Sequence, residues 1–78
     1  MGPEKDCQVE TYSGARLHER VRRFTWEGQW LEVRQVLATW RTPEGLHFKV
    51  AAADGRIFLL QYEPRADTWT AQPGGRQE

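Results

Sequence analysis

The chain has a single cysteine, Cys7, so no internal disulfide can staple it, and its cysteine usage gives no sign of secretion. No apolar run approaches the ~20 residues a spanning helix needs, so no membrane partner is expected. The opening Met1-Gly2-Pro3-Glu4-Lys5-Asp6 lacks an apolar signal core, and Asp6 stands where a myristoylation signal needs Ser or Thr. A cytoplasmic location is the expectation. Net charge is absent as well: 11 basic residues cancel 11 acidic ones, which excludes a histone-like or polybasic binder. With 78 residues there is room for one small domain and no second one beside it.

The chemistry of catalysis is equally scarce. Ser13 is the only serine, and both it and Cys7 fall in a polar N-terminal stretch that offers no rigid setting for a nucleophile. A Cys7–histidine pair with His18 or His47 would need that stretch to be held in place. His18 and His47 lack a third metal ligand at recognisable spacing. Glu27 and Glu32 flank one turn, where they read as solvated charges rather than a buried acid–base pair. Gly74-Gly75 precedes no helix and is no phosphate loop. No catalytic residue, metal or cofactor is expected, and the chain reads as a non-enzymatic protein.

What is present is aromatic. Eight of the nine aromatic residues lie between Phe24 and Trp69, and four of the nine are tryptophans. So short a domain buries only about 60% of its unfolded surface, and large rings, each hiding about 150–250 Å², supply the missing core. The ends offer little to bury, so residues 1–17 and 73–78 are expected as flexible tails around a β domain of residues 18–72.

Within that domain the punctuation predicts an antiparallel meander of about five strands, a curled sheet or SH3-like barrel. Phe24-Thr25-Trp26 alternates into the Glu27-Gly28 turn, and Trp30 to Arg41 is a long β-rich run. In that run Leu31 and Val33 share one parity whereas Val36, Ala38 and Trp40 share the other. One extra residue, a β-bulge near Arg34-Gln35, would bring them to one face. Pro43-Glu44-Gly45, Asp54-Gly55 and Glu63-Pro64 mark the later turns. Residues 15–24 are ambiguous. Leu17, Val21 and Phe24 have helical spacing, but the Phe24/Trp26 alternation favours a strand from about Val21. The expected core is Phe24, Trp26, Leu31, Val33, Val36, Ala38, Trp40, Phe48, Val50, Phe58, Leu60, Tyr62 and Trp69.

The opposite parity then faces outward, and two surfaces emerge from it. The first is basic: Arg23, Arg34, Arg41 and Lys49, with Trp30 as a stacking platform. Nine of the 11 basic residues are arginine, the side chain that both pairs with phosphate and stacks on bases. Arginine with an exposed aromatic on a curled sheet points to single-stranded nucleic acid. An equally good account of the same charges is a solvated face laced with Arg–Glu pairs. The second surface is apolar: Leu37, Ile57 and Leu59, which would serve a homodimer or a protein partner unless a closed barrel buries both parities.

The run Arg23-Phe24-Thr25-Trp26-Glu27-Gly28-Gln29-Trp30, then Val33, Val36-Leu37 and Trp40-Arg41, resembles a family of short bacterial proteins known only as a domain of unknown function. Phe48-x-Val50, Gly55-x-x-Phe58-x-Leu60-x-Tyr62 and Trp69 continue the likeness, which covers about residues 20–72. Trp30 stands where those proteins tend to have Tyr. The resemblance implies a compact β domain and, because some of these proteins are encoded near error-prone DNA polymerases, a DNA-associated role. It carries over no catalytic or ligand residue.

Overall fold

The turn at Glu27-Gly28 shows why the chain doubles back on itself. Trp26 pairs directly with Gln29, leaving two residues in the turn. Both have positive φ, 52° at Glu27 and 80° at Gly28, the twist that matches paired strands. A computed structural model describes residues 5–11 and 21–76, and these form one antiparallel sheet. Its strands are β1 (Lys5–Cys7), β2 (Val9–Thr11), β3 (Val21–Trp26), β4 (Gln29–Thr42), β5 (Gly45–Ala52), β6 (Arg56–Glu63) and β7 (Thr68–Arg76). The five strands from β3 to β7 are those the sequence predicts, and the sheet is strongly curled.

The two additional strands revise the expected tail boundaries. The sheet order is β1-β7-β6-β5-β4-β3-β2, so its two outermost strands are successive pieces of one segment joined through Gln8. β1 pairs with β7 and β2 with β3, and Thr25 N–H donates to the Gln8 carbonyl at 3.0 Å. Residues 5–11 thereby tie the two edges of the curl together. The driving force is the satisfaction of edge N–H and C=O groups, to which Cys7 and Val9 add packing against the core. At the other end β7 runs on through Pro73, Gly74 and Gly75 to Arg76. Of the ambiguous stretch, Val21–Phe24 is strand; residues 15–20, with His18, lie outside the described residues, as does Ser13.

β4 is the strand that bends. Its first residues pair with β3 and the remainder with β5. The pairing skips Arg34 between Val33 and Gln35, which is the expected bulge, and skips Leu37 between Val36 and Ala38, a second one. The first bulge brings Val36 to the face already occupied by Val33, as predicted. The second reverses parity again. Trp40 therefore pairs with His47 and Ala38 with Lys49 on the outer face, while Thr39 and Arg41 fall opposite Phe48 and Leu46. Ala38 and Trp40 consequently leave the expected core; both are exposed, Trp40 at 42%.

The core proper is aromatic. Phe24 and Trp26 each meet Phe58 edge-on, at 5.1 and 5.2 Å between centroids, the arrangement ring quadrupoles favour. Val21, Phe48, Val50, Ala52, Leu60 and Ala71 complete the buried cluster, and Leu31, Val33, Val36 and Trp69 pack half-buried against it. Tyr62 is also only half-buried, because its hydroxyl reaches out to donate to Asp67 at 2.8 Å.

Ile57 supplies a further correction. Its parity is outward, yet it is buried at 4%. The reason lies in β7, where the pairing passes from Ile57–Gly75 to Phe58–Pro73 and leaves Gly74 as an extra residue. The Gly74 backbone comes so close that a Cβ there would lie 3.1 Å from Ile57 Cγ2. Glycine lets β7 fold down over the aliphatic side chain.

Candidate functional site

The outer face of the sheet carries a ladder of directly opposed residues that crosses five strands: Trp40, His47, Gln61, Thr70 and Asp6. Its first two members form a stack. The Trp40 and His47 rings are 5.4 Å apart at centroid and only 5° from parallel. The imidazole is fixed from below by Thr42, whose Oγ1 lies 2.6 Å from His47 Nε2 and donates to Glu44 Oε1 at 2.9 Å. A hydroxyl has one proton, and if Glu44 takes it, Thr42 accepts from His47 Nε2–H. These contacts hold the imidazole in its place against the Trp40 ring. Trp40 itself stays 42% exposed, a large apolar surface at the edge of a polar face.

Beyond His47, on the side away from Trp40, the ladder opens into a hollow of about 380 Å³ lined by Glu44, Gln61, Glu63, Thr68 and Thr70. Lys49 stands one step along β5 from this row, exposed and facing outward opposite Ala38. Between the β4–β5 and β6–β7 turns, Arg41 and Arg65 line an open cleft of about 660 Å³ with Pro43, Leu46 and Pro64, and Glu44 and Glu63 are shared between this cleft and the hollow. Lys49, Arg41 and Arg65 have no ion-pair partner among the described residues.

The residues expected to form one basic surface are instead divided. Trp30 is exposed as predicted, at 43%, but the Arg23 guanidinium lies over its ring at 4.6 Å. Arg23 is further committed to Glu10, donating to Oε2 at 3.0 Å, and Arg22 approaches the same carboxylate at 3.5 Å. The hydrogen bond from Arg23, with the positive charges around it, holds the Glu10 carboxyl below its usual range. Arg34 protrudes at the first bulge and is engaged within the protein. Arg41 and Lys49 are near Trp40, at the other end of β4. Of the apolar trio, Ile57 is buried and Leu37 and Leu59 are half-buried, so no continuous oily patch forms from them. The Trp40–His47 platform escaped sequence reasoning because it depends on the second bulge; the Val36-Leu37-Ala38 alternation gives no sign of it.

The cysteine is quiet. Partial burial, with some help from the Asp6 charge, pushes the Cys7 thiol up to about 11. Among the described residues no three His, Cys, Asp or Glu side chains are grouped to hold a metal ion, and no helix is long and apolar enough to cross a membrane. Comparison with protein-family models, curated proteins and solved structures finds no match.

Proposed function

We propose that this protein is a non-enzymatic module of the bacterial cytoplasm that binds single-stranded nucleic acid on the outer face of its sheet. The observation that carries the reading is the half-exposed Trp40–His47 stack with Lys49 beside it. Unpaired bases stack on such a platform without regard to sequence, at about 1–3 kcal/mol per base. Lys49 on the same face and Arg41 at the lip of the strand are free to meet phosphates. A DNA-associated role also fits the family that residues 20–72 resemble. The Arg23–Trp30 pair contributes to the fold in this reading, because the guanidinium is already held by the Glu10 carboxylate and lies over the indole.

The test is a titration of the protein's tryptophan fluorescence with short single-stranded DNA at low salt, with a duplex of the same sequence as control. Stacking on Trp40 predicts saturable quenching by the single strand and much weaker quenching by the duplex. Absence of quenching and of any mobility shift at millimolar DNA would overturn the reading.

A further inference from the structure

The stack and the hollow beside it have a direction. β5 lies between β4 and β6, so the order across the outer face is Trp40 ring, His47 ring, hollow. Gln61 stands directly opposite His47 on β6 and is one wall of the hollow, so the hollow lies one side chain beyond the stack, within reach of a strand whose neighbouring base rests on Trp40. Resting on the nucleic-acid reading above, we propose that this hollow is the seat of one unpaired base and selects bases that carry an amino group on their pairing edge, cytosine, adenine and guanine, over thymine and uracil, which carry none.

The lining chemistry sets the preference. Glu44 and Glu63 are acceptors only, and Gln61, Thr68 and Thr70 can each donate or accept. No cation lines the hollow, so a phosphate is disfavoured there and a neutral base with N–H donors is favoured. Glu44 already accepts from Thr42, whereas the Glu63 carboxylate has no hydrogen bond or ion pair among the described residues and lines the hollow with Gln61 and Thr68. A carboxylate in that place accepts from the N4 amino group of cytosine, the pairing by which acidic side chains read that base. Thymine presents its O4 there instead, and oxygen would face oxygen. The platform supplies affinity for any base, and the hollow sorts them.

Equal-length deoxycytidine and deoxythymidine oligomers at neutral pH test this with one instrument. The expected result is binding of both, with the cytidine oligomer tighter by about fivefold, the lower bound for one good contact to a base edge. In Glu63→Gln the amide can donate to O4, so the ratio of the two affinities should collapse toward one or invert. Circular dichroism of that variant should be unchanged, since Glu63 is exposed at the end of β6. Equal binding of both oligomers, or a thymidine preference in the unaltered protein, overturns the selectivity while leaving the nucleic-acid reading intact. If neither oligomer binds, the reading itself fails and takes this inference with it.

Discussion

Salt is the perturbation that separates a platform from a basic patch. Each phosphate neutralised by a lysine or arginine releases condensed counterions, so for single strands log K falls with log salt by about 0.7 per contact. The sequence offers four cations for the task, Arg23, Arg34, Arg41 and Lys49. In the folded protein Arg23 is held by Glu10 and Trp30 and Arg34 is engaged, which leaves Arg41 and Lys49. Two contacts predict a slope of about −1.4 and a loss of about sevenfold in affinity between 50 and 200 mM salt, whereas four would give roughly −2.8 and fiftyfold. Anisotropy titrations of a labelled oligonucleotide at five or six salt concentrations measure the slope directly. A value near −3 would mean that more cations than Arg41 and Lys49 reach phosphate, and this division of the basic residues would be wrong. A slope of zero would mean that no phosphate is touched.

Other expectations concern the scaffold. Glu27 holds a positive φ of 52° that asparagine adopts far more readily, and its ion pair with Lys5 is exposed and loose at 3.4 Å. Glu27→Asn should therefore raise the unfolding free energy by about 1 kcal/mol in urea denaturation, and a loss of stability would refute the turn assignment. Gly45 has φ 147°, and a Cβ there would run into the Tyr62 carbonyl oxygen. Gly45→Ala should cost about 1–3 kcal/mol, and a neutral result would mean that β5 and β6 are not so closely apposed at this end. Because the native thiol of Cys7 is pushed up to about 11, alkylation at pH 8 should be slower than in the unfolded chain by on the order of 10². The folded state holds that proton more tightly, so the associated stability is complete below the usual thiol range and fades as pH rises through about 11.

Much of this fold is readable residue by residue. Turn residues locate every hairpin from β3 to β7, and the parity conflict between Leu31/Val33 and Val36 announces the bulge at Arg34. The second bulge is not legible. Leu37 is as apolar as its neighbours, and the shift that exposes Trp40 is decided by pairing with β5 rather than by local pattern. The strands at residues 5–11 escape for a related reason. Their side chains are mostly polar, and what binds them is the unfilled backbone of β7 and β3, a demand that appears only once the sheet has curled. Gly74-Gly75 reads as tail because it has nothing to bury, although that lack of side chains is what lets it cover Ile57. The candidate site inherits these gaps: arginine content and an exposed tryptophan are visible in the sequence, but which tryptophan is free and which arginines are spoken for depends on partners distant along the chain.

The claim that most needs testing is that Trp40, and not Trp30, is the surface on which bases stack. Paired titrations of Trp40→Ala and Trp30→Ala with the same single-stranded oligonucleotide decide it. The account predicts a loss of about 5- to 150-fold for Trp40→Ala and a change within about twofold for Trp30→Ala. Unchanged affinity in the first variant, or the larger loss in the second, would contradict it.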